Sequence, residues 1–429
     1  MRRLALLAAM AALLAACSGS SSGGGGGSQP LVIGILAPFT GADAALGPAY
    51  FAACLPAARA INADGGVMGH QVSCKQFDTR GDPADAVPAT RQMIASNPNL
   101  MMVVGCTSDE ASSVMPILEQ SHVVAFCQTG QSEFNKSSFK YFHRLVPPDE
   151  YDAYAMVGIA RLYDKYSRIA LVFGNDIGSQ AFVGPAMTAI QKTGGTVAIN
   201  QALALGQSSY RTEVQQLIDS NPQVILTEAL GSTDATYLAE LKQLKGGMLP
   251  VIGSSATIDP VWFKAVSDAI GVNDLVTNYQ ANDTPTDFSG PGYNSFKTEL
   301  LASAAQYADA TKYVTRASTI HLYDGIVMTA LAMDATKSTD SKVYNPKIID
   351  VGDGVSGASQ VNTYKDGVSA LNNGKSVRFI GAGGATKFDK WNNSNTGYIV
   401  AKYDAQGNEQ TVATLTQAEI NQLIAQAGG

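Results

Sequence analysis

Four histidines are the first candidates for catalysis in this 429-residue chain, and their spacing argues against it. His70, His122, His143 and His321 stand far apart, and none belongs to an HExxH pair that could hold zinc. Each reads as a surface or packed histidine, and no metal is expected. No GxSxG elbow presents a serine. No nucleophile with a base in hydrogen-bond reach can be assembled, so an exported hydrolase is the weakest reading. Gly23 to Gly27 is glycine-rich, but no strand precedes it to make a phosphate cradle, and no cofactor is expected.

The elements that would position any site are easier to read. Leu31 to Leu36 is a short apolar run suited to a strand buried on both faces, and Pro38 to Gly41 breaks it. Gly47 to Ala63 reads as an Ala-rich helix, stopped by Asp64-Gly65-Gly66. Strand, loop, helix and glycine stop make the first unit of a doubly wound α/β fold, in which small ligands sit at the carboxyl ends of the strands. Further strands are expected at Gln71 to Phe77, Leu100 to Val104 and Val123 to Phe126, followed by the loops Asp78 to Asp82, Gly105 to Asp109 and Cys127 to Gly130. Asp82 before Pro83 marks a helix start. The alternation pauses at Arg144 to Pro148 and resumes with strands at Arg168 to Phe173, Thr196 to Asn200, Val224 to Thr227 and Pro250 to Gly253. The two runs are alike in kind and size, so two similar lobes are expected. Beyond them come helices Tyr293 to Tyr307 and Ala317 to Thr336, strands Ser376 to Ile380 and Tyr398 to Tyr403, and a terminal helix from Thr416. Ser338 to Lys375 is the least readable stretch.

A net charge of -7 argues against a nucleic-acid partner, which needs a concentrated basic face. After the N-terminus no apolar run reaches eighteen residues. The N-terminus itself reads as an export signal, with Arg2 and Arg3 before the apolar Leu4 to Leu14. Leu14-Ala15-Ala16-Cys17 is similar to the bacterial lipobox, which implies cleavage before Cys17 and a lipid on its thiol; a plain secretory signal is the alternative. Ser18 to Pro30 lacks apolar side chains and reads as a flexible tether to a membrane surface. In an exported protein, the remaining Cys54, Cys74, Cys106 and Cys127 suggest disulfides, with three pairings available. Cys106 and Cys127 end successive strands, and Cys54 lies on the first helix with Cys74 on the strand after it. The expected pairs are therefore Cys54–Cys74 and Cys106–Cys127, against four buried free thiols as the alternative.

From Leu31 to about Tyr403 the chain resembles the type I periplasmic solute-binding proteins of the branched-chain amino acid transport class. The residues that carry the resemblance are Ile33-Gly34, Pro38 to Gly41, Ile61-Asn-Ala-Asp-Gly-Gly-Val-Met-Gly69, Asp82-Pro83, Val104-Gly105 with Thr107-Ser108, Phe126 to Thr129, Arg144, and Gly381 to Asp389. The resemblance implies two doubly wound parallel-sheet lobes joined by three crossovers, near Arg144 to Pro147, Tyr279 to Asp283 and Gly381 to Phe388. The expected division is residues 1–16 signal, 17–30 lipidated cysteine and tether, 31–146 with 281–380 the first lobe, and 147–280 with 381–429 the second. It also implies a monomer that closes on a small-molecule ligand and delivers it to an ABC permease. A sensor for a membrane signalling partner is the alternative.

For the site, the resemblance implies that hydroxyls and backbone amides after strands three and four grip a carboxylate or similar polar head. Thr107 and Ser108 match the first loop, and Cys127, Gln128 and Thr129 the second. Amides at a helix N-terminus already point toward an anion; the alternative is that Thr107 and Thr129 merely cap their helices. In the second lobe Asp176 and Ile177 stand where an aromatic residue is often found, and no aromatic is present near Gly231 to Thr233. Ser255 stands where an acid is expected to meet the ligand's ammonium. Glu228 is a substitute cation partner, or else a structural acceptor. Trp262 and Phe263 are expected to pack inside the second lobe, with lining of the cleft as the alternative. A small polar, amide-like or carboxylate ligand fits this set as well as leucine does.

Overall fold

β1 (Leu31–Ala37) is buried along its whole length, as its unbroken apolar sequence requires of a central parallel strand. The computed structural model describes residues 29–41, 43–394 and 397–427. The export signal, Cys17 and nearly all of the tether lie outside them. The first body continues with α1 (Leu46–Ala63), β2 (Val72–Asp78), α2 (Pro83–Ser96), β3 (Leu100–Thr107), α3 (Ser108–Gln120), β4 (Ala125–Gln128) and β5 (Phe142–His143). These strands form one parallel sheet in the order β2-β1-β3-β4-β5. Ile33 and Ile35 of β1 face α1, while Leu36 faces the cluster of α2 and α3 residues on the other side.

The second body takes α4 (Asp149–Gly158), β6 (Arg168–Gly174), α5 (Ile177–Gln180), α6 (Val183–Lys192), β7 (Thr196–Leu203), α7 (Arg211–Ser220), β8 (Val224–Glu228), α8 (Gly231–Lys245), β9 (Val251–Gly253), α9 (Pro260–Ile270), α10 (Val272–Asn278) and β10 (Tyr279–Asp283). The chain then returns to the first body with α11 (Pro291–Ala302), α12 (Ala317–Thr336), α13 (Ser341–Asp353), β11 (Ser359–Val361), α14 (Tyr364–Asn372), β12 (Val377–Gly381) and β13 (Gly384–Ala385). Every residue of α12 from Thr319 to Asp334 is buried, because α1, α13 and α14 surround it. The chain ends in the second body with β14 (Tyr398–Tyr403), β15 (Glu409–Leu415) and α15 (Gln417–Ala427).

The second sheet has the order β15-β14-β10-β9-β8-β6-β7. Its core is parallel, but β14 runs antiparallel to β10 and β15 antiparallel to β14, so this lobe is mixed at one edge. β15 has no counterpart in the sequence reading, because EQTVATL at a sheet edge keeps most of its side chains in water.

Tyr279 to Asp283, expected as a crossover, is a fully buried strand of the second sheet, and the chain leaves that sheet only after Asp283. Its polar residues look like loop in the sequence, but they have buried partners. Asn282 donates to Asp152 at 3.0 Å, and Gln280 donates to Asp164.

Both expected disulfides are present: Cys54–Cys74 ties α1 to β2, and Cys106–Cys127 ties β3 to β4 near their carboxyl ends. β3 also runs on to Thr107, beyond the apolar stretch. Gly105 allows this: its φ of +112° is closed to most residues, and a Cβ there would lie 2.4 Å from the Leu36 carbonyl oxygen.

Candidate ligand-binding cleft

The carboxyl ends of both sheets face a common cavity of about 230 Å³. From the first body, Asp43 comes from the loop after β1, Tyr50 from α1, Thr107, Ser108 and Asp109 from the β3–α3 junction, and Gln128 and Gly130 from the end of β4. From the second, Asp149 and Asp152 come from the first turn of α4, Asp176 and Phe182 follow β6, Glu228 ends β8, and Ser255 follows β9. The bodies touch across the opening. Arg316, just before α12, forms an ion pair with Asp259, just before α9, and the Ile177 backbone N–H donates to Asp109 Oδ1 at 2.9 Å.

Of the residues expected to form the site, Thr107, Ser108, Gln128, Asp176, Glu228 and Ser255 line this cavity, while Cys127, Thr129 and Ile177 do not. Thr107 occupies the N-cap position of α3, but its hydroxyl does not cap a backbone N–H: it donates to the buried Glu110, which also accepts from Thr79 Oγ1 at 3.0 Å. Thr129 is fully buried behind the wall, where its Oγ1 accepts from Ser108 Oγ at 3.1 Å. Cys127 is enclosed by its disulfide and by Met115. Ile177 turns its side chain to solvent, 49% exposed, because Asp176 caps α5 through Ser179 N and starts the helix there. The aromatic wall comes instead from Phe182, stacked on Phe173, and from Trp262, whose Nε1 donates to Asp234 at 2.9 Å. Trp262 therefore faces the cavity as well as the lobe interior, while Phe263 packs on Tyr403.

Asp152 is the main residue that the sequence reading missed. Ser255 Oγ donates to its Oδ2 at 2.6 Å, so an acid does stand beside the serine, supplied by α4. In the sequence, Asp149, Glu150 and Asp152 look like acids that complement a helix N-terminus. Only the packing shows two of them lining a cavity.

Burial dominates the electrostatics. It raises Asp43 to about 7, Asp109 and Asp152 to about 6, and Asp149 and Glu228 well above the ordinary carboxylate range, with neighbouring acids adding to the rise in Asp43, Asp109, Asp149 and Glu228. Burial lowers His321 to about 4, leaving its imidazole neutral. Among the described residues no group of three or more His, Cys, Asp or Glu is placed to hold a metal ion.

A family model described as "periplasmic binding protein" matches residues 30–408. The chain belongs to that family. It is 22% identical over 338 residues to the Leu/Ile/Val-binding protein homolog 3 of Brucella melitensis, covering 78% of this chain and 87% of the relative. It is 21% identical over 197 residues to an amino acid binding protein of Pseudomonas aeruginosa, covering 46% and 52%. Its fold is similar to that of the branched-chain amino acid transporter substrate-binding protein LivJ from Streptococcus pneumoniae, solved with isoleucine (TM-score 0.72, 14% identity, 90% of this chain and 99% of that one). A solute-binding protein from R. palustris, solved with 4-hydroxybenzoate, matches with TM-score 0.69 and 14% identity over 91% of this chain and 97% of that one. These relatives and neighbours are binding proteins by name, and the chain shares their two-lobed α/β fold. No helix among the described residues is long and apolar enough to cross a membrane.

Proposed function

We propose that this protein captures a small polar solute between its lobes and delivers it to an ABC importer, while a lipid on Cys17 holds it at the outer face of the cell membrane. The observation that carries the reading is the cavity of about 230 Å³ that the strand ends of both sheets line together. A solute held there touches both lobes, so its binding favours the form in which they are close together. Thr107, Ser108 and Gln128 are the contacts proposed on the first lobe, and Asp176, Glu228 and Ser255 on the second. The relatives' names and the ligands of the neighbouring structures support amino acids and small aromatic acids as starting probes. Thermal-shift screening followed by small-angle scattering tests the reading: a ligand that raises the melting temperature is expected to lower the radius of gyration. A stabilising ligand that leaves the radius unchanged would contradict capture by closure. Lipid attachment is checked by the mass of the N-terminal peptide from cell membranes, with a Cys17→Ser variant expected in the soluble fraction.

A further inference from the structure

The cavity is short of positive charge. Seven of its lining residues, Asp43, Asp109, Asp149, Asp152, Asp176, Glu228 and Asp283, carry carboxyl groups with no ion-pair partner among the described residues. Arg316 is the one Lys or Arg in the lining, and Asp259 already pairs with it. Arg144 lies near Asp149, but its guanidinium donates to the Thr129 and Gln131 carbonyls and to Asn135 Oδ1.

Unmet acceptors accompany the missing charge. Glu228 Oε2 and Asp149 Oδ2 are buried without a hydrogen-bond partner, and so is Nδ1 of His321, a ring only 8% exposed that also lines the cavity. Leaving such groups unpaired is unfavourable, more so for charged ones. An ammonium or guanidinium supplies several N–H donors and no acceptor, which is the complement of this lining. Tyr50, Phe182 and Trp262 also line the cavity, and aromatic rings suit the body of such a molecule and attract a cation. A zwitterion would add as much negative charge as positive and leave the surplus in place. A carboxylate solute would meet like charges.

We propose that the captured solute is a small organic cation of net positive charge, with one or two ammonium or guanidinium groups bound by Asp149, Asp152 and Glu228. This rests on the capture reading and narrows its ligand class. Binding draws protons off the carboxyl groups that burial holds partly protonated.

The test is isothermal titration of the purified protein with two size-matched sets of probes. One contains 1,5-diaminopentane, agmatine, lysine and arginine; the other contains leucine, isoleucine, hexanamide and glutarate. The best cation is expected to bind at least tenfold more tightly than the best member of the second set. Its enthalpy at pH 7 should vary with buffer ionisation heat in the sense of proton release. Glu228→Gln and Asp152→Asn should each weaken the cation at least tenfold, while Glu228→Gln leaves the melting temperature of the free protein at pH 8 unchanged or raised. Tighter binding of any neutral or anionic probe would overturn the charge assignment and leave capture standing, as would cation binding that neither variant weakens. No binding in either set would overturn both.

Discussion

Thr107 shows how one side chain serves both the fold and the cavity. Its hydroxyl donates to Glu110, a carboxyl fully removed from solvent, and its position at the end of β3 places it in the cavity wall. Thr107→Val would leave that acid with Thr79 as its remaining side-chain donor. A buried acceptor that loses its partner costs about 1–3 kcal/mol, so chemical denaturation should show a loss of that size. An unchanged midpoint would mean that Thr107 has no structural duty. The buried acids also set a pH dependence. Asp43, Glu110, Asp234 and Asp324 are raised to about 7 by burial, above their values in an unfolded chain. The folded state therefore binds extra protons, and stability is full below the unfolded carboxyl range and lost as pH rises through about 7. His143 and His321, lowered to about 4 by burial, contribute in the opposite sense only up to the ordinary histidine value near 6.5. Between pH 6.5 and 8 the carboxyl groups act alone, so the melting temperature of the free protein should fall across that interval. A rise in differential scanning calorimetry would contradict these assignments.

At the scale of elements, the two disulfides do different work. Cys106–Cys127 joins β3 and β4 one residue before Thr107 and Gln128, both of which line the cavity. Cys54–Cys74 joins α1 and β2, with Cys54 inside the core of the first body. Closing a loop of about 20 residues is worth roughly 3 kcal/mol in the chain-entropy account, so replacing either pair with alanine should lower stability by about 2–5 kcal/mol. Only the Cys106→Ala/Cys127→Ala double variant should also weaken ligand binding, measured by titration calorimetry. Equal affinities in the two variants would show that the bridge does not position the strand ends. The regular α/β units were legible because continuous apolar runs, an Asp82-Pro83 cap and glycine stops are local signals. β15 and β10 were not, since an edge strand keeps polar residues in water and the polar residues of β10 find their partners on other elements.

For the whole molecule, the Arg316–Asp259 pair and the Ile177-to-Asp109 bond are two polar contacts that join the bodies across the opening. The side chains of Arg316 and Asp259 are 10% and 6% exposed. Removing one partner leaves the other's charge stranded in the closed form, whereas separation of the lobes lets water reach it. Arg316→Gln should therefore disfavour closure by roughly 2 kcal/mol or more, weakening binding by at least about tenfold. Small-angle scattering of the free variant should give a larger radius of gyration than the unaltered protein. A variant as compact and as tight as the original would mean that the pair is not a latch.

Taken alone, the sequence determined two runs of α/β units, both disulfide pairs and the loops that approach the cavity. Each follows from neighbours along the chain or from the regular winding of strand and helix. It could not determine which side chains face one another across the gap. Ile177 and Thr129 sit in the right loops, yet one turns to solvent and the other lies behind the wall. Asp149, Asp152, Phe182 and Trp262 line the cavity from helical segments that read as caps or core. The acidity of the cavity is likewise a tertiary property: acids spread along the chain from Asp43 to Glu228 come together only when two separate sheets present their carboxyl ends to the same space.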